Sequence, residues 1–437
     1  MIETVSPQLS ATRPRTEDAS RLTTARGTAL YIGALLGPGL LLLPGLAAAA
    51  AGPASILAWV ALLALSALFA TVFTALGRSY PSAGGVIGYV TAGLGSRAGL
   101  MAGWSFLAGV IAGAPVVCLI GASYVTGLTG GGRLARAGIA ALLLLVVLAL
   151  AARGLRTSAA AQLLLVGLLI VVVAVAVGGS AGSARSANWT PFAPHGWLAV
   201  GHAAETLMLS FVGWEAVAPL TTRFADPSRS LARVAAITLA VTTALYLGLA
   251  VATIGVLGPR AATLVPLAGL LTRALGPAGT AAAAAAAVVL TLGTTNAYIN
   301  GAAAMAGRLA RSSRTTGDQR TAPRFLAAIA ASGLLLISLY GLGVVSPASL
   351  VAIPTALFLA VYLGCMVSAR RVLPGAARRA SVPAAVAVAI MLGYCGWAIA
   401  APVLVALAVT VVRSGARTED GCGTRKSRTR GLSRAGR

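Results

Sequence analysis

The seven longest stretches free of Asp, Glu, Lys and Arg decide what this chain of 437 residues folds into. They cover residues 27–77, 98–132, 157–184, 234–259, 274–307, 325–369 and 380–412, and the longest runs for 51 residues. A helix that crosses a bilayer takes ~20 mainly apolar residues. Several stretches therefore hold two crossings each, and the chain reads as an all-α polytopic membrane protein. A β-barrel would alternate polar and apolar residues in segments of ~10, and these runs do not. Only 10% of the residues are charged, against ~25% in a soluble domain, which excludes a soluble globular fold.

Twelve spans are expected, near 28–50, 56–76, 98–125, 135–152, 158–178, 197–221, 232–257, 277–307, 324–344, 348–369, 381–394 and 397–413. The last two are short. With Pro383 and Pro402 they also read as one bent helix. Loop charge separates the two layouts, because basic residues accumulate on the cytoplasmic side. With twelve spans and a cytoplasmic N-terminus, 28 of the 33 basic residues lie inside and 5 outside. Merging the last two spans moves the basic tail outside and leaves 20 against 13. Twelve spans in the plasma membrane, with both termini cytoplasmic, are the expectation.

Residues 1–27 form a basic cytoplasmic tail with Arg13, Arg15, Arg21 and Arg26, and show no cleaved-signal pattern. Residues 414–437 are Gly- and Ser-rich and basic, and are expected to be a disordered cytoplasmic tail. That tail reads as a topology anchor, with contact to anionic lipid as the alternative. The formal charge of +24 thus belongs to topology and not to nucleic acid. Cys118, Cys365, Cys395 and Cys422 contain no Cys-x-x-Cys pair, and the first three read as inert packing residues.

Two spans carry interruptions. Span 1 contains Gly37-Pro38-Gly39 followed by Leu40. Proline removes a backbone donor and clashes with the preceding turn. The passage reads either as a kink at a close helix contact or as unwound backbone lining a cavity. Span 6 contains Phe211-Val212-Gly213-Trp214-Glu215. Carrying a carboxylate into the bilayer costs ~2.5–3.5 kcal/mol on insertion scales, so Glu215 is a functional candidate by default. Glu205 lies nearer the outer end, where a pore-mouth role is equally expected. Interruptions in spans 1 and 6 are offset as two inverted repeats would place them, spans 1–5 (28–178) and spans 6–10 (197–369), with 381–413 beyond. Such paired interruptions point to a transporter's site. Half-helix N-termini offer N–H groups to a carboxylate, and unwound carbonyls can receive an ammonium group or a cation.

These passages resemble the amino acid–polyamine–organocation superfamily, over residues from about 28 to 412, with a flavour similar to bacterial exporters of methionine and branched-chain amino acids. Four passages carry the resemblance. They are Leu35-Leu36-Gly37-Pro38-Gly39 with Pro44; Tyr80-Pro81-Ser82-Ala83-Gly84-Gly85 with Tyr89, Gly95-Ser96-Arg97 and Gly103-Trp104; Phe211 to Ala216 with Asp226-Pro227; and Asn296-Ala297-Tyr298-Ile299-Asn300. The resemblance implies a five-plus-five inverted-repeat fold of the leucine-transporter type, with broken helices 1 and 6 and two extra C-terminal helices. It implies a secondary transporter of neutral amino acids by alternating access, with no cofactor beyond a coupling H+ or Na+. Backbone around Gly37, Gly39 and Leu40 would meet the substrate carboxylate. Phe211, Val212 and Gly213 would meet the amino group, with Trp214 nearby. Glu215 and Glu205 would serve coupling or the pathway, and Thr294, Thr295 and Asn296 would serve a cation or helix packing.

The sequence departs from the family pattern at Pro38, which lacks a free N–H. It departs again at Arg223-Phe224-Ala225-Asp226-Pro227, which reverses one charge. Span 5 holds Gln162 where some proton-coupled members hold a lysine. Export of methionine or branched-chain amino acids is the leading expectation, and coupled uptake or antiport within the same superfamily is the runner-up. A membrane enzyme is disfavoured. His202 and Glu205 share a helix face, but with His195 they make no metal set and no catalytic triad. A channel is a further rival, separated by saturable transport and counterflow. The expected partners are a small amino acid and the bilayer, and no feature of the sequence encodes an oligomeric state.

Overall fold

The computed structural model describes residues 23–411, apart from 38, 82–84, 156–157, 218–223, 225–226 and 313–320. Residues 1–22 of the expected N-terminal tail, the C-terminal tail, Pro38, Ser82-Ala83-Gly84 and Asp226 lie outside the described residues, as do Arg156, Arg223, Arg314 and Arg320 of the charge layout, and the rest of the N-terminal tail is already helical from Thr24.

The described residues are helical, with α1 Thr24–Leu35, α2 Gly39–Ala51, α3 Ser55–Ser79, α4 Val86–Leu94, α5 Ser96–Thr129, α6 Arg133–Ala152, α7 Ala159–Ser180 and α8 Leu198–Met208. The second half continues with α9 Pro227–Leu257, α10 Pro266–Leu275, α11 Pro277–Ser312, α12 Thr321–Gly341, α13 Pro347–Val372, α14 Gly375–Tyr394 and α15 Gly396–Val411. Among the described residues, nine helical segments are long and apolar enough to cross a membrane. One of them, Gly39–Ser79, joins α2 and α3 through a turn at Gly52–Ala54. Leu198–Phe211 and Gly396–Val411 are apolar but shorter. Two short helices, α4 and α10, stand where the sequence reading left loops, and α14 begins six residues before its expected start.

Local chemistry sets several ends. Thr23, Ser158 and Ser346 cap α1, α7 and α13 by accepting from the N–H three residues on, which satisfies one of the orphan donors of a first turn. Gly95 separates α4 from α5 with φ 86°, and Gly130 ends α5 in the left-handed region with φ 77°, a conformation that costs glycine little.

The centre of the bundle is α5 and α13, each 72% buried over its most apolar window, whereas α12 and α14 are 28% and 22% buried and form the rim. Helix α5 packs against α11 and α13, α2 against α8, and α1 against α9 and α7. Lipid gives no hydrophobic drive between helices, so small residues at the contacts matter. At Gly109 of α5 an added Cβ would stand 3.0 Å from the Phe358 ring of α13. Arg136 reaches Thr126 and the Tyr340 hydroxyl near one end of α5. Arg371 reaches the Gly93 carbonyl near the other.

Candidate substrate site

Helix α1 stops at Leu35. Leu36 leaves helical geometry (φ −81°, ψ 78°), and α2 starts at Gly39. A helix end leaves its last carbonyls without intrahelical partners, and a membrane interior gives no water to satisfy them. Here three neutral side chains approach them. Gln162 Nε2 donates to the Gly33 carbonyl (3.4 Å), the Tyr298 hydroxyl donates to Ala34 (3.0 Å), and the Tyr246 hydroxyl lies 3.2 Å from the Leu35 carbonyl. At the start of α2, the Leu40 N–H is turned to the Gly37 carbonyl at 3.2 Å.

The second interruption follows α8. A 3-10 turn covers Leu209–Phe211, Val212 is extended (φ −76°, ψ 137°), and a second 3-10 turn covers Trp214–Val217. Gly213 between them has φ 135°, a region side chains rarely adopt. A Cβ there would also run into the Ala34 carbonyl. The two interruptions therefore abut, and only glycine lets the chains approach so closely. Tyr246 ties them further, because its single hydroxyl hydrogen goes to the Ser210 carbonyl at 2.7 Å while Leu35 lies on its other side.

A polar knot holds the second interruption in shape. The Tyr362 hydroxyl accepts from the N–H groups of Gly213 (2.9 Å) and Trp214 (3.1 Å) and donates to Glu215 Oε2 (2.5 Å). The Gly213 N–H also reaches Glu215 Oε2 at 3.0 Å. Tyr31 donates to the Trp214 carbonyl (2.8 Å), and Trp214 Nε1 donates to Ser66 Oγ (2.7 Å). Buried polar groups need partners, and Tyr362, Glu215 and Tyr31 each make at least one bond to the unwound backbone.

A cavity of about 90 Å³ opens beside the abutting interruptions, several times the room one water needs. Leu35, Gly37 and Gly39 border it from the first interruption, and Ser210 and Val212 from the second. Gly109 and Gly113 of α5, Thr295 and Tyr298 of α11 and Phe358 of α13 complete the wall. The lining is almost wholly apolar. Ser210 Oγ and Thr295 Oγ1 are buried without a hydrogen-bond partner.

Of the residues singled out from sequence, Gly37, Gly39, Val212 and Thr295 border the cavity. Leu40, Phe211 and Trp214 are buried in the surrounding core, where Phe211 packs on Trp59 and Tyr246, and Trp214 on Tyr31. Gly213 faces Ala34, and Glu215 sits in the knot. Asn296 Nδ2 donates to the Leu155 carbonyl (2.9 Å) just past the end of α6, and Thr294 is buried on α11. Glu205 is buried on α8, accepts from Thr206 Oγ1 at 3.4 Å, lies beside Cys395 and keeps Oε1 without a partner. His202 meets the Tyr394 ring edge-on, and His195 Nδ1 lies 2.9 Å from the Ala50 carbonyl. Among the described residues no three His, Cys, Asp or Glu side chains converge on one point. Sequence reasoning passed over Tyr362 and Tyr246 and gave no role to Tyr298 or Ser210. The available signal was a tyrosine inside a span, since a buried phenol needs a polar partner.

The family model described as "Amino acid permease" matches residues 22–413. The uncharacterized amino acid permease YecA of Bacillus subtilis (strain 168) is 32% identical over 400 residues, 89% of this chain and 94% of that protein. The L-methionine/branched-chain amino acid exporter YjeH of Escherichia coli (strain K12) is 29% identical over 388 residues, 85% of this chain and 91% of that protein. Among solved structures, MhsT in complex with L-phenylalanine shares the fold with a TM-score of 0.57 at 16% identity, covering 89% of this chain and 99% of that one.

Proposed function

This chain belongs to the amino acid permease family, a family of multi-pass membrane transporters and not of enzymes, and from that membership we propose that it carries neutral amino acids across the plasma membrane by alternating access. The observation that carries the reading is that both interrupted helices wall one apolar cavity. Such a cavity suits a zwitterion with an apolar side chain. Backbone and hydroxyl groups meet its charged ends, and Val, Phe and Gly surfaces meet the rest. A fixed side-chain charge on the substrate would find no counter-charge among the cavity's lining residues.

In this reading the chain crosses the membrane twelve times with both termini cytoplasmic. Spans 1–5 and 6–10 form the inverted repeats, and the interruptions at Gly37–Gly39 and Val212–Gly213 are the broken helices 1 and 6. The split of basic residues supports the orientation. Arg136 and Arg371 near opposite ends of α5 fit the layout, which puts them on opposite sides of the membrane. The substrates are methionine and branched-chain amino acids, and the direction is export. The likeness to the methionine and branched-chain exporter supports both, and the apolar lining supports the substrate class alone.

Cells lacking their own exporters and loaded with methionine or leucine dipeptides test the proposal. Efflux of the free amino acid should rise with the protein present. Equal efflux with and without it overturns export, and uptake without efflux assigns the opposite direction.

A further inference from the structure

Ser210 borders the cavity and is 5% exposed, and its Oγ is buried with no hydrogen-bond partner. A buried polar group left unpaired is costly, so a hydroxyl kept in that condition at a cavity wall is available to whatever enters. Its surroundings say what that is. Ser210 stands against the N-terminus of α2, where a Cβ built on Gly39 would lie 3.2 Å from Ser210 Oγ. A helix N-terminus favours an anion through its free N–H groups and its dipole. The backbone supply at this one is short. Residue 38 is a proline and has no N–H, and the Leu40 N–H is spent on the Gly37 carbonyl. Gly39 itself borders the cavity, with the Ser210 hydroxyl beside it.

We propose that Ser210 donates the side-chain hydrogen bond to the α-carboxylate of the bound amino acid, replacing the backbone donor that Pro38 lacks. The proposal rests on the reading of the cavity as the amino acid site. One carboxylate oxygen takes the Ser210 O–H, and the Gly39 N–H and the α2 dipole hold the rest of the charge. The side chain of the substrate then runs toward Gly109, Gly113 and Phe358.

The test is binding of L-methionine, L-leucine and their α-amides to the purified full-length protein. The amides keep the ammonium group and side chain but lack the carboxylate. Ser210→Ala should weaken amino acid binding roughly 10- to 100-fold, the worth of a hydrogen bond to a charged group. It should leave amide binding within about threefold, and Ser210→Thr should restore amino acid affinity. Unchanged amino acid affinity in Ser210→Ala overturns the proposal, and so does an equal loss for acids and amides. A wild-type protein that binds no amino acid overturns the reading of the cavity, and the proposal with it, before any variant is compared.

Discussion

Tyr362 of α13 donates to Glu215 across 2.5 Å while its oxygen accepts the N–H groups of Gly213 and Trp214. One phenol thus serves the unwound backbone that follows α8. It joins the acid beside the interruption to a helix from the centre of the bundle.

Tyr362→Phe removes the acceptor of the buried Trp214 N–H, one of the two acceptors of the Gly213 N–H and the donor to a buried carboxylate. Each unpaired group costs about 1–3 kcal/mol. The variant should melt several degrees lower in detergent and lose most of its transport. Tryptophan fluorescence melting and substrate uptake into proteoliposomes read the two effects.

Glu215→Gln keeps one carbonyl acceptor for Tyr362 and for the Gly213 N–H, so the fold should survive. If Glu215 carries the coupling proton, transport by this variant should become flat with pH while binding affinity stays within a few-fold. Transport rates measured from pH 5 to pH 8 decide. An unchanged profile removes Glu215 from coupling and leaves it as the keystone of the knot.

Gly213 and Gly37 should part company on substitution. Gly213→Ala places a side chain at φ 135° and against the Ala34 carbonyl. The backbone strain alone costs about 1–3 kcal/mol, and the protein should aggregate or fail to express. A Cβ on Gly37 meets nothing within 4 Å, so Gly37→Ala should express and run as a single peak on size exclusion while binding substrate more weakly.

Gly113→Val should narrow the cavity without strain, since the nearest atom to a Cβ there is Pro354 Cβ at 3.8 Å. Affinity for leucine and methionine should fall roughly 10- to 200-fold, the range for a methylene or so of lost room. Alanine should bind as before. Competition binding across alanine, valine, leucine and methionine reads the shift, and a uniform loss would count against Gly113 as the wall that sets side-chain length.

Transport should persist when sodium is replaced by choline. The carbonyls at the end of α1 would attract a cation, but Gln162 and Tyr298 donate to two of them and Tyr246 crowds the third. A cation would have to displace those donors. A strict sodium requirement in proteoliposomes would refute this.

The bundle was legible because charge-free runs have one solution in a bilayer. Both interruptions were legible too, because glycine beside proline at residues 37–39 and glycine beside an acid at 213–215 break the local pattern. The rest of the cavity wall, beyond Gly37, Gly39, Val212 and Thr295, was not. Gly113 and Phe358 look like any packing residues of an apolar helix, and only the fold shows that they face Ser210 and Gly37 across open space. Phe211 and Trp214 show the converse. They stand next to the interruption in sequence, yet the turn after Met208 carries their rings into the core. The short helices α4 and α10 escaped because nine or ten residues bounded by glycine or proline carry too little pattern to separate a helix from a loop.

The hydrogen bonds that close α1 against its neighbours are individually weak. Three neutral hydrogen bonds hold that half-helix in place, Gln162 to Gly33, Tyr298 to Ala34 and Tyr31 to Trp214. Between membrane helices such bonds are worth about 0.6 kcal/mol each, so releasing all three costs about 2 kcal/mol. That gap leaves a released arrangement populated at a few per cent, within reach of thermal motion. In the proposed alternating-access cycle, tethers of this strength add little to the cost of moving α1, where three buried ion pairs would add far more.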